Sequence, residues 1–174
     1  DFSLLKEKHN AHTLIFQDDH FLSNEERSLK IIDLVKELKL KVVFQNGLAL
    51  YALTRKVLEA IKSAGINQVV LAVESGSERI LKDVMHKPLN LKLVKKVSKD
   101  CRDLGIYTDV NILVGLPGET KKDIKDARSF LKTIQANWFR ITIATPLVGS
   151  EMYDICLKNN YISGEVFDCH YKKA

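Results

Sequence analysis

Two strand-to-turn-to-helix junctions between Val69 and Thr120 constrain this chain more than any other feature. The first reads Val69-Val70-Leu71-Ala72-Val73-Glu74-Ser75-Gly76-Ser77-Glu78-Arg79-Ile80-Leu81, and the second Val110-Asn111-Ile112-Leu113-Val114-Gly115-Leu116-Pro117-Gly118-Glu119-Thr120. In each, an unbroken apolar run reads as a strand buried on both faces, stops at small residues and passes into a helical pattern. The breaks put Glu74 and the Gly115–Glu119 stretch at the carboxyl ends of strands. In parallel α/β folds ligands bind along that edge.

The remainder repeats the same alternation. Phe2 to Asn10 has the look of a helix tail, and Thr13 to Phe16 of a short strand ending in Gln17-Asp18-Asp19-His20-Phe21. Ser23, with Glu26 three residues on, is expected to cap a helix carrying Leu29, Ile32, Val35 and Leu38 on one face. Lys41 to Phe44 is a second strand leading into Gln45-Asn46-Gly47. Thr54 caps the next helix, with Val57, Leu58, Ile61 and Ala64 inward and Gly65 as its stop. After Glu74, Ser77 opens a short helix through Met85. Asn90 opens another, bearing Val94, Val97, Cys101 and Leu104. Ile106 to Val114 is the fourth strand. Thr120 and Asp123 cap a helix with Ile124, Ala127, Phe130, Leu131 and Ile134 inward. Trp138 to Ala144 is the fifth strand, and Ser150 begins a last helix. Beyond Ser163 the pattern fades.

Five strand–helix units with short connections require a parallel sheet covered by helices, because such crossovers are right-handed. Five units do not close an eight-stranded barrel, so the expectation is an α/β fold, a parallel-stranded partial (β/α) barrel of the TIM type. A chain of 174 residues suits one domain over 1–174. The net charge of +5 is mild, and the lysines lie scattered over helix faces, which reads as solvated surface rather than a nucleic-acid patch. Cys101, Cys156 and Cys169 are far apart and have no metal-ligand spacing. Cys169-His170 supplies too few donors for a metal. This cysteine usage suits a reducing cytoplasm, and no apolar run approaches membrane-spanning length.

The strand ends offer Asp18 and Asp19, then Gln45 and Asn46, Glu74 and Ser75, Asn111 and Gly115, and Thr145 and Pro146. Carboxylates and amides in this arrangement suit a ligand with an amine and a sugar diol. Glu74 is placed to accept two ribose hydroxyls, and its alternative role is a helix-capping or solvated acid. Asp18-Asp19-His20 invites a metal reading. Adjacent strand residues face opposite ways, so a polar contact from one of the aspartates is the better reading. Gly115–Glu119 lacks the Lys and Ser/Thr of a phosphate loop. An aldolase-type barrel would need a lysine at a strand's end, and none is plain in the sequence.

The ordered set Val73 to Leu81, Lys87, Gly105-Ile106 and Val114 to Thr120 resembles the core of the radical S-adenosylmethionine enzymes. Phe16 to Phe21 and Pro146 to Ser150 add to the resemblance, which covers nearly the whole chain. It implies that the five strands are the second to sixth of a six-stranded part-barrel. It places Asp18 or Asp19 at the amino group of S-adenosylmethionine and Glu74 at the ribose, with Ser75 beside it. Asn46 falls among the cofactor-binding positions, Asn111 and Gly115 on the adenosyl-contacting strand, and Thr145 and Pro146 beside the adenine. In this family a [4Fe–4S] cluster reduces S-adenosylmethionine to release a 5′-deoxyadenosyl radical, and an electron donor is needed. The cluster-binding CxxxCxxC is not in this sequence, and the expected place for it is upstream of Asp1. The Asp-Asp-x-Phe form resembles the branch that carries a cobalamin domain. By this reading the chain is the cofactor-binding part of a larger oxidoreductase or transferase; which residues are catalytic is not given by the sequence, and none is expected to ligate a metal. With its first strand absent, Thr13–Gln17 becomes an apolar edge, through which the isolated chain is expected to form a homodimer. A cluster-free binding module is the competing reading.

Overall fold

The computed structural model describes residues 2–87 and 89–162, so Cys169-His170 and the tail from Ser163 lie outside the described residues. Among the described residues are five strands: β1 (Thr13–Phe16), β2 (Lys41–Phe44), β3 (Gln68–Glu74), β4 (Tyr107–Val114) and β5 (Trp138–Ile143). Six α-helices accompany them: α1 (Phe2–His9), α2 (Glu25–Glu37), α3 (Arg55–Ser63), α4 (Leu91–Asp103), α5 (Lys121–Leu131) and α6 (Glu151–Lys158). All strand pairs are parallel. β1 pairs with β2, β3 with β4 and β4 with β5, and a single Leu48–Leu71 bridge joins the two groups. The order along the sheet therefore follows the chain, as in a part-barrel.

Alternation along the strands sorts their side chains. Val69, Leu71, Val73, Val110 and Ile112 face the helices and are buried with Val57, Leu58 and Ile61 of α3 and Val94, Val97 and Cys101 of α4. The opposite face carries Val70 and Ala72 in register with Asp109 and Asn111, and Asn111 in turn with Arg140. Apolar burial on the helix side holds the sheet, at about 25 cal/mol per Å² removed from water. The opposite face is polar at Asp109, Asn111 and Arg140. Phe16 adds an aromatic cluster with Phe2, Phe21 and Phe44, which docks α1 and the β1–α2 connection.

Several local expectations change. Asn24, not Ser23, caps α2: its side chain accepts from Arg27 N–H at 2.9 Å, while Ser23 ends a one-turn 3₁₀ segment. The expected helix after Ser77 is wound as a π-turn over Ile80–Val84, with Met85 N–H donating to Ile80 O at 2.9 Å. Ile124 faces solvent, since α5 tilts its buried side onto Asp123 and Ala127. Thr54, Asn90, Thr120 and Ser150 cap their helices as read from the sequence. β5 is exposed along its whole length, with Ile141 66% and Ile143 73% accessible.

Candidate functional site

At the ends of β1 and β2 four polar side chains interlock. Gln17 Nε2 donates to Gln45 Oε1 at 3.2 Å, and Asn46 Nδ2 donates to Gln17 O at 2.9 Å and to Asp19 Oδ1 at 3.3 Å. Asp19 and Asn46 thus share one wall of a cavity. Asp18 turns the other way, 3.9 Å from the Arg27 guanidinium on α2. The cavity, about 510 Å³, is also lined by Gly47, Leu50, Tyr51, Ala72, Lys87, Leu89 and Leu93. It lies between the loop after β2 and the loop before α4, with apolar walls and a few polar groups at its rim, as ligand sites have.

At the end of β3 the backbone is strained. The β3–β4 register slips between Ala72 and Glu74, and Glu74 adopts a φ of +66°. Ser75 N–H donates back to Val73 O at 2.8 Å, closing a three-residue turn around Glu74. A non-glycine residue held at positive φ costs about 1–3 kcal/mol and persists only where its surroundings impose it, often at functional sites. Glu74 Oε1 lies 3.3 Å from Lys87 Nζ, which also donates to Ala72 O at 2.8 Å. The structure therefore does bring a lysine to a strand's end, from thirteen residues away along the chain. No local spacing signalled it.

Ser75 and Gly76 serve the backbone. Ser75 Oγ is buried and accepts from Ser77 N–H at 3.1 Å. A Cβ on Gly76 would lie 2.8 Å from Ala127 O, so this turn presses directly on α5. Ser77 Oγ donates to Asp123 Oδ1 at 3.0 Å, and Arg79 holds both Asp123 oxygens through Nε and Nη2. Arg79 Nη2 also donates to Gly118 O at 2.8 Å, and Thr120 completes the shell with its N–H and hydroxyl. The Arg79 guanidinium, then the Thr120 hydroxyl, hold the Asp123 carboxyl well below the usual carboxylate range. Asp123 thereby ties the two junctions together. From the sequence it reads only as a helix cap.

The loop after β4 is folded by Glu119, whose Oε2 accepts from Gly115 N–H at 2.6 Å. Gly115 and Gly118 stand at φ +81° and +79°, which accounts for both glycines. On the inner face Asn111 Oδ1 and Asp109 Oδ1 are buried without a hydrogen-bond partner, while Arg140 Nη2 holds Asp109 Oδ2. Asp109 and Arg140 are not evident from the sequence, although a lone acid inside an apolar strand is the available signal. Thr145 and Pro146 follow β5, where Ala144 N–H donates to Val114 O at 2.8 Å and Thr145 bonds within its own turn.

An amine and a diol fit this edge: Asp19 and Asn46 at one end, the Glu74 carboxylate in the middle, and the orphan Asn111 oxygen beneath. A metal cluster does not fit. Cys101 and Cys156 are free and buried, burial pushes the Cys101 thiol up to about 12, and no group of three His, Cys, Asp or Glu side chains converges among the described residues.

Comparison with known proteins shows the family. A family model described as the Radical SAM superfamily matches residues 3–131. A cytidylyl-2-hydroxyethylphosphonate methyltransferase of Streptomyces wedmorensis is 25% identical over 167 residues, covering 92% of this chain and 31% of the relative. A tRNA-2-methylthio-N(6)-dimethylallyladenosine synthase of Clostridium tetani is 35% identical over 109 residues, 59% of this chain and 23% of the relative. The chain therefore spans about a third or less of these relatives' length. Among solved structures, the radical S-adenosylmethionine methyltransferase TsrM of Kitasatospora setae, with cobalamin and a [4Fe–4S] cluster bound, superposes with a TM-score of 0.68 at 15% identity. That match covers 83% of this chain and 29% of TsrM.

Proposed function

Because the chain belongs to the Radical SAM superfamily, we propose that it is the S-adenosylmethionine-binding part of a radical SAM transferase. The observation that carries this reading is Glu74. A carboxylate is held at φ +66° on a parallel sheet's carboxyl edge, and the cost of that conformation is explained if the carboxylate must face a ligand. When bound, S-adenosylmethionine supplies the adenosyl radical chemistry of the family, driven by its cluster and an external electron donor. This chain's own residues bind and orient. Glu74 accepts the ribose hydroxyls, and Asp19, steadied by Asn46, accepts from the amino group. Asn111 and the Gly115 loop line the adenosyl side, with Thr145 and Pro146 at the adenine end.

Transfer of a methyl or methylthio group is the outcome we favour, since the relatives' names describe such transfers. The Asp-Asp-x-Phe form at residues 18–21 supports use of cobalamin. Free cysteines fit a cytoplasmic setting. The test is equilibrium dialysis of labelled S-adenosylmethionine against the whole protein. Glu74→Ala is expected to weaken binding by about 1.5–3 kcal/mol, the scale of a lost charged hydrogen bond. Unchanged affinity would return Glu74 to a structural role.

A further inference from the structure

We propose that Lys87 is a positioning residue for the ribose-binding carboxylate, an inference that rests on reading Glu74 as that carboxylate. Leu48 N–H donates to Val70 O at 3.3 Å, so that carbonyl points towards β2. Carbonyls two residues apart on a strand point to the same edge, and Ala72 O therefore points there as well. The Leu48–Leu71 bridge is isolated, and β2 provides no strand partner for Ala72. Lys87 Nζ fills that place at 2.8 Å, and the same ammonium lies 3.3 Å from Glu74 Oε1. One group therefore closes the open ladder and faces the strained carboxylate.

The path of the chain to this point is specific. The π-turn at Ile80–Val84 adds one residue to the winding, His86 follows at φ +50°, and Lys87 N–H donates to Leu81 O at 2.8 Å. Together these turn the chain back over the end of β3. π-turns occur frequently at functional sites. The Lys87 side chain is 34% exposed and that of Glu74 25%, so the pair is partly shielded and its attraction is screened less than on an open surface. A lysine used only to close the ladder would need the bond to Ala72 O alone. Its second contact fixes where the Glu74 carboxylate points before the ribose arrives, which lowers the ordering cost of binding.

The test uses the whole protein and equilibrium dialysis with two probes, S-adenosylmethionine and its 2′,3′-dideoxy analogue. Lys87→Met is expected to weaken S-adenosylmethionine binding about ten-fold while leaving the analogue's affinity unchanged. Lys87→Arg should restore most of the loss. In a Glu74→Gln background, Lys87→Met should add nothing, since both changes act through one contact. Equal loss for both probes, or additive losses in the cycle, would overturn the proposal and leave Lys87 as a ladder-closing residue. Lys87→Gln, which keeps a donor for Ala72 O, replaces Lys87→Met if that variant fails to fold. If Glu74→Gln leaves S-adenosylmethionine binding intact, the ribose reading falls and this proposal with it. If Glu74→Gln weakens binding and Lys87→Met does not, the positioning role alone is refuted.

Discussion

Gly76→Ala probes the contact on which the two junctions depend. The added Cβ would lie 2.8 Å from Ala127 O, 2.9 Å from Ala127 Cα and 2.9 Å from Phe130 Cδ1. Two of these three atoms are backbone of α5 and cannot rotate away. Restoring ordinary contact near 3.4 Å requires α5 and the turn to separate by roughly half an ångström. That movement works against the Ser77–Asp123 and Arg79–Asp123 bonds, which hold the same two segments together. Overpacking of this kind costs about 1–3 kcal/mol. Alanine recovers about 0.4–1 kcal/mol by restricting the unfolded chain, provided its backbone conformation is allowed. The net expectation is a loss of about 1–2 kcal/mol, or roughly 2–8 °C in Tm for a chain of this size. Thermal unfolding followed by circular dichroism measures it. Gly118→Ala is the control, because it meets nothing within 4 Å and is penalised only through its φ of +79°. A Gly76→Ala protein as stable as the parent would show that α5 is not seated on this turn, and the account of how the junctions are joined would fail.

Glu74→Gly should raise stability by about 1 kcal/mol by relieving the positive φ, while S-adenosylmethionine binding by the whole protein is lost; a destabilised variant in urea denaturation would refute the strain argument. The Asp123 carboxyl is depressed in the folded chain, so its contribution is present above the unfolded carboxylate value near 3.9 and is lost as pH falls below it. Asp123→Asn should therefore flatten the acid limb of the Tm–pH profile, and an unchanged limb below about pH 4 would assign that limb to other groups. The edge of β1 away from β2 has no strand partner among the described residues, Ile15 on the adjoining face is 59% exposed, and the isolated chain should self-associate there at micromolar concentration. Ile15→Lys should yield a monomer by sedimentation, and persistent association would move the interface to the exposed β5.

Much of the fold was legible because its signals are local. Strand runs such as Val69–Val73 stand out as continuous apolar stretches, with Val69, Leu71 and Val73 buried under the helices and Val70 and Ala72 half-buried on the other face, and a capping box such as Thr120–Asp123 spans one helical turn. Glu74 could be placed at a strand end for the same reason: the periodicity breaks one residue later. Decisions between near-equivalent neighbours were less visible. Ser23 and Asn24 both qualify as caps by chemistry, and the 3₁₀ segment at Phe21–Ser23 decides for Asn24. Asp18 and Asp19 are chemically identical, and packing against α2 turns Asp18 to Arg27 while Asp19 meets Asn46.

What only the tertiary structure decided depends on distance along the chain. Arg79 meets Asp123 across 44 residues, and Arg140 meets Asp109 across 31. No periodicity reports such pairs, because they form only when parallel strands are stacked in register. Lys87 is thirteen residues from Glu74, and its approach depends on the extra residue in the π-turn and on the gap between β2 and β3. The sequence by itself determined that a parallel sheet presents Glu74 and the Gly115–Glu119 loop on one edge, since apolar periodicity and glycine placement are read residue by residue. The strain on Glu74, the ammonium beside it and the carboxylate that locks the two junctions were decided by the fold, because each needs chain segments that meet only after the strands have paired.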